Sequence, residues 1–248
     1  MYKKVLILTT VLLFSVLVSA QNATEIIKKA NDKERGITNK GTMTMTIVRP
    51  TWQRTVKFKT WGKGRDFSLT LITYPAKEKG QTFLKRKNEL WNWNPTISRM
   101  IKLPPSMMSQ AWMGSDYTND DILKESSIVV DYTHKIIGSE KVSGYECHKI
   151  EMIPKEEAAV VWGKLIKWVS KKDYLQLKSV YYDEDGYVVK TEIGRDVKKM
   201  GGRLLPTKIE ILPEDEPGNK TLVIINNIEF DVPMKETFFS QQMMKRVR

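Results

Sequence analysis

Between Thr42 and Ile47 the chain reads Thr-Met-Thr-Met-Thr-Ile, and that alternation narrows its fold more than any other feature. Successive side chains of a β-strand point to opposite faces, so Met43, Met45 and Ile47 share one face and the threonines the other. The same period continues from Arg54 to Trp61, where Val56 and Phe58 oppose Lys57 and Lys59. Gly62 and Gly64 mark a turn, and Phe67, Leu69 and Leu71 alternate on the way back. The pattern returns in shorter pieces from Gln81 to Leu103 and again from Tyr132 to Phe230, with Asp183-Glu184-Asp185-Gly186 as its sharpest turn signal. About ten or eleven strands result, mostly joined by hairpins. No β-α-β rhythm, repeat or linker interrupts them. The fold class this predicts is mainly β, a single strongly curved antiparallel sheet with short helices covering its concave face.

Two segments break the period. Residues 23–31 combine good helix formers with Ile26, Ile27 and Ala30 on one side, which predicts a short amphipathic helix. After Pro104-Pro105 the stretch Ser106 to Met113 shows no alternation, and Thr118-Asn119-Asp120-Asp121 then supplies a polar cap and early acids for a second short helix. Phe238 and Phe239 are expected to tuck the tail against the body.

The first twenty residues read as a leader. Lys3 and Lys4 precede an apolar run from Val5 to Val18, and Val18-Ser19-Ala20 offers small residues for cleavage after Ala20. The run is short for a membrane span, and no cysteine follows the cut to carry lipid. The expectation is an exported, soluble chain with one domain over residues 21–248. Its single cysteine, Cys147, allows no internal disulfide, so packing must hold the fold. The formal charge of +12 suits nucleic acid, anionic lipid or an acidic partner. Export argues against nucleic acid. The lysines are scattered along the strands, as in Lys164 and Lys167, which reads as a solvated sheet face for most of them, with anionic headgroups as the functional alternative.

The inventory for catalysis is thin. His134 and His148 stand on separate predicted strands without metal-ligand spacing. Cys147 and His148 are adjacent on a strand and therefore point apart. The acids of the Asp183 turn lack calcium-loop spacing, and Asp120-Asp121 is accounted for by helix capping. No phosphate loop or serine elbow is present. The expectation is a protein that is not an enzyme and takes no cofactor or metal.

Soft apolar residues are the unusual feature. Methionine adapts to partners of varied shape, and tryptophan offers large apolar area with one polar edge. Met43, Met45, Ile47, Phe58, Trp91, Trp93, Met107, Met108, Trp112 and Met113 are the candidate lining or lid of a cavity for acyl chains. Alternation alone does not separate such a cavity from a core packed solid. It also leaves open which face is concave, because a shift of one residue inverts a whole strand.

Four segments carry a family resemblance. Leu90-Trp91-Asn92-Trp93-Asn94-Pro95, followed by Arg99-Met100-Ile101-Lys102-Leu103, resembles the Leu-Trp-x-aromatic-x-Pro strand of the LolA family. Residues 114–122, Gly-Ser-Asp-Tyr-Thr-Asn-Asp-Asp-Ile, resemble a stretch of a longer branch known as outer membrane lipoprotein-sorting proteins. Tyr74 to Gly80 and Phe238-Phe239 fit the same branch. The resemblance implies an unclosed β-barrel plugged by helices, an apolar cavity and no catalysis. It implies a periplasmic monomer that moves an acylated lipoprotein or lipid between an inner-membrane transporter, of the ABC or RND type, and an outer-membrane acceptor. A regulatory or accessory module of the RseB kind, bound to an inner-membrane protein, is the alternative it carries. The chain is longer than the classical carriers around Ser106 to Ser127 and in the hairpins after Tyr145, and Arg54, Arg65 and Arg99 all remain candidates for the carriers' cavity arginine.

Overall fold

The computed structural model describes residues 23–124, 128–158 and 160–248; the expected leader lies outside them. Thirteen strands form one antiparallel sheet: β1 (Thr38–Arg49), β2 (Trp52–Lys63), β3 (Phe67–Tyr74), β4 (Thr82–Arg86), β5 (Glu89–Asn94), β6 (Arg99–Lys102), β7 (Tyr132–Val142), β8 (Tyr145–Pro154), β9 (Lys164–Ser170), β10 (Gln176–Tyr182), β11 (Val188–Met200), β12 (Arg203–Pro213) and β13 (Lys220–Phe230). Their order across the sheet is β6-β5-β4-β3-β2-β1-β13-β12-β11-β10-β9-β8-β7. Every neighbour is a hairpin partner except β1 and β13, which join the two halves of the chain. The sheet curves without closing, and β6 and β7 are left as its edges. The strands outnumber the ten or eleven expected. The short strands expected between Gln81 and Leu103 are present as β4, β5 and β6.

Among the described residues three α-helices accompany the sheet: α1 (residues 23–35), α2 (Asn119–Lys124) and α3 (Gln241–Arg246). Helix α1 buries Ala23, Ile26, Ile27 and Ala30 against Ile150, Met152, Leu165 and Val169 of β8 and β9. His134 of β7 ties down its start: burial pushes the imidazole below its ordinary value, Nε2 faces the Ile128 carbonyl at 2.8 Å and Nδ1 faces Thr24 Oγ1 at 3.1 Å. Helix α3 does not cover the concave face. It packs with Phe239 on Leu69, Leu71 and Leu84, which alternate with Thr70, Ile72 and Phe83 and therefore lie on the outer side. Cys147 is buried in a separate cluster with Trp168 and Leu177, away from His148.

The connection between β6 and β7 folds back over one end of the bent sheet and plugs it. Polar contacts fix the plug to four strands. Arg49 of β1 reaches Asp116 at 2.9 Å, and Thr221 of β13 donates to the same carboxylate at 2.6 Å. Arg54 of β2 pairs with Glu78 and donates to the Met113 carbonyl at 3.2 Å, holding a left-handed non-glycine residue (φ 54°). Lys190 of β11 pairs with Asp121, whose side chain also accepts from Trp162 Nε1 at 2.8 Å and from the Thr118 amide at 2.6 Å. The ammonium of Lys190 also lies 4.8 Å from the ring centres of Trp162 and Tyr181.

The Lys190–Asp121 pair is buried on both sides, at 4% and 7% exposure of the side chains, so removing one partner strands the other charge. Lys190→Met is expected to cost about 3–5 kcal/mol in urea denaturation, and adding Asp121→Asn should recover part of it. Equal losses for the single and double variants would show that the charge is not the cause. For His134, the folded-state value lies below the unfolded one, so its contribution is complete above about pH 6.5 and falls as the medium is acidified. His134→Gln should flatten the fall in melting temperature between about pH 6.5 and 5. An unchanged slope would exclude this histidine.

Candidate functional site

Cross-strand register arranges the inner face of β1 to β4 as rows. Met43, Phe58 and Ile72 form one row near the plug. The next, one pleat further, is Gly41, Thr60, Thr70 and Phe83. A third holds Asn39, Gly62, Ser68 and Lys85. The face thus grades from apolar at the plug to polar at the far end. The facing wall from β9 to β11 follows suit. Tyr181 and Leu165 stand opposite each other near the plug, and Lys167, Ser179 and Glu192 share the row beyond.

Between these walls lies a cavity of about 300 Å³. Its plugged end is closed by Trp112, stacked edge-on against Phe58 at 5.8 Å and Phe83 at 5.3 Å, together with Tyr117 and Ile122. At the other end the lining includes Glu34, Arg35, Asn39 and Arg65, all partly exposed, so the cavity opens there. A hydrogen-bond chain braces this mouth. Gln176 donates to Glu34 of α1 at 2.7 Å, and the buried Lys167 ammonium lies 3.1 Å from both Gln176 Oε1 and Ser179 Oγ. Two buried side-chain atoms among the described residues lack a hydrogen-bond partner, Asn31 Oδ1 and Trp112 Nε1, and both residues line the cavity. Each is a group that a bound polar atom or water would satisfy.

The structure brings together only part of the expected lining. Met43, Met45, Phe58 and Trp112 wall the cavity. Ile47 and Met113 belong to the apolar cluster behind it, and Met107 and Met108 are half-buried in the plug connection outside the wall. Trp91 and Trp93 do not face the cavity. They lie on the outer side of β5, packed with the α3 segment, and Lys245 sits 5.0 Å over the Trp93 ring. The strand's parity is inverted relative to the expectation. Of the three arginines, Arg65 lines the cavity, Arg54 is engaged with the plug, and Arg99 is exposed on the edge strand. Lys167 is not on a solvated face: it is buried on the inner side, as is Lys85. These lysines carry a sequence signal, since each stands in phase with apolar neighbours, Lys85 with Phe83 and Lys167 with Leu165 and Val169.

The same architecture occurs in known structures. A DUF1329 family protein from Desulfovibrio piger superposes with a TM-score of 0.83 at 23% identity, over 91% of this chain and 99% of that one. An outer membrane lipoprotein-sorting protein domain from Vibrio parahaemolyticus gives 0.81 at 20% identity, over 92% and 100%. A LolA superfamily protein from Nitrosomonas europaea gives 0.77 at 21% identity, over 89% and 98%. No curated protein matches the sequence. A family model described as that of an uncharacterized protein matches residues 64–246. The chain belongs to that family, and it has the LolA-like fold of the outer membrane lipoprotein-sorting proteins.

Proposed function

We propose that this protein is a periplasmic, non-enzymatic carrier that binds an acylated cargo, lipoprotein or free lipid, and transfers it between the inner and outer membranes. The leader of residues 1–20 directs export, and residues 21–248 act as one domain. The observation that carries this reading is the cavity graded from Met43, Met45, Phe58 and Trp112 at its closed end to Asn39, Ser68 and Lys85 near its mouth. Its volume sits at the lower end of the roughly 300–1,000 Å³ common for small-ligand pockets. An amphiphile entering tail-first would place its hydrocarbon against methionine and aromatic rings, whose soft contacts tolerate varied chains. Its polar portion would remain among the hydroxyls, amides and charges at the opening. The unpartnered Asn31 Oδ1 and Trp112 Nε1 suit a ligand with a hydrogen-bonding linkage better than a bare alkane. The relatives described as lipoprotein-sorting and LolA superfamily proteins support the same class.

The test is to purify the chain from a membrane-containing host, extract it and identify bound lipid by mass spectrometry. Thr70 faces the cavity between Thr60 and Phe83, so Thr70→Trp fills the space with little change to the outer face. This variant is expected to bind a fluorescent fatty acid at least about tenfold more weakly, a loss of roughly 1.4 kcal/mol. Trp91→Ala, on the outer side, should lower stability and leave lipid binding unchanged. An extract without lipid, with no binding of the probe, would overturn the carrier reading. A stoichiometric inner-membrane protein partner in that case would favour a regulatory or accessory module.

A further inference from the structure

We infer that the open end of the barrel is a docking surface for an anionic lipid bilayer, set so that the cavity mouth faces the membrane. This rests on the carrier reading for the meaning of the mouth, and on charge for the docking itself. In an antiparallel meander, alternate turns lie at opposite ends. The turns β2–β3, β4–β5, β7–β8, β9–β10 and β11–β12 stand at the mouth, where Arg65 and the last turn of α1 are also found. The turns β1–β2, β3–β4, β5–β6, β8–β9, β10–β11 and β12–β13 stand at the plugged end.

The two ends carry opposite charge. At the mouth, Arg86 and Lys87 flank one turn, Lys171 and Lys172 lie in the second, and Lys198 and Lys199 precede the third; all six are exposed. Asp66, Glu89, Asp173 and, beside Lys141 at the β7–β8 turn, Glu140 and Glu146 offset them only in part. At the plugged end the turns from β8 to β13 hold Glu156 and Glu157, then Glu184 and Asp185, then Glu214, Asp215 and Glu216, all exposed, which outnumber the exposed Lys77, Lys79 and Arg99 of the β3–β4 and β5–β6 turns there. The turns of the plugged end thus carry a surplus of acid and the turns beside the opening a surplus of base. Each basic side chain near an anionic leaflet contributes about 1 kcal/mol, within roughly a Debye length of the surface. An anionic bilayer therefore attracts the mouth and repels the plug. Exposed apolar residues do not mark the mouth: Ile37 stands beside it, whereas Trp52, Tyr74, Ile97 and Tyr187 stand at the plugged end. The orientation comes from charge.

The experiment is flotation of the full mature chain with vesicles of phosphatidylglycerol and phosphatidylcholine, and with vesicles of phosphatidylcholine alone. Binding is expected only to the anionic vesicles and should be lost as salt is raised. Two variants change the net charge equally. Lys87→Glu with Lys172→Glu alters the mouth; Lys77→Glu with Lys79→Glu alters the exposed β3–β4 turn at the plugged end. The mouth variant should bind at least about tenfold more weakly and the plug variant nearly as well as the wild type. Equal weakening of both would show that bulk charge alone acts, and would overturn an oriented docking surface. So would a wild type that fails to float, or one that floats equally with neutral vesicles. Lipid content by mass spectrometry is independent of flotation, so a lipid-loaded chain that ignores anionic vesicles would defeat this inference and leave the carrier reading standing.

Discussion

The architecture depends on one constraint: a single twisted sheet of thirteen strands must cover its inner face with whatever the chain has to spare. Antiparallel pairing satisfies the backbone groups within the sheet and leaves edges only at β6 and β7. What remains for the interior is α1, which is thirteen residues long, and the connection between β6 and β7. Helix α1 covers β8 and β9, and the plug covers the apolar end of β1 to β4. Neither reaches the middle, so the space between Met43 and Tyr181 stays open. Curvature creates the cavity, and the shortage of covering elements preserves it.

The plug is held by polar contacts as well as by its apolar surface, which has consequences for the site. Arg49–Asp116, Arg54–Glu78 and Lys190–Asp121 each join it, or a segment beside it, to a different strand. Buried pairs of this kind add little net stability over a well-packed apolar substitute, yet they are costly to break singly. They fix where a segment sits. Trp112 must close the cavity without filling it, and greasy packing alone would allow the segment to sink further in. The ion pairs set a depth for it, which is a matter of position more than of energy.

Much of the fold was legible because alternation is a local property. Met43, Met45 and Phe58 reveal their shared face from spacing alone, and the amphipathic stripe of α1 is visible in Ile26, Ile27 and Ala30. Which face turns inward is not local. Trp91 and Trp93 share a face, as their spacing requires, but the tail from Phe238 to Val247 supplies a second apolar cover on the outer side of β3 to β5. With both faces buried there, apolar parity no longer reports which one is concave. The inner lysines were missed for the converse reason. Reading Lys167 with Lys164 as a solvated pair overlooks their opposite parity, which sends Lys167 inward with Leu165 and Val169.

The charge of the chain illustrates the same point at a larger scale. Read in sequence order, bases and acids alternate from turn to turn, and the pattern looks scattered. A meander places every second turn at the same end, so the relevant order is turns taken in steps of two. Lys171-Lys172 and Lys198-Lys199 then fall together, as do Asp183 to Asp185 and Glu214 to Glu216. Net charge hides this separation because it sums two ends of opposite sign. The electrostatic field that a membrane meets depends on how the turns are distributed in space, and the number of turns between two charges governs that more than their distance along the chain does.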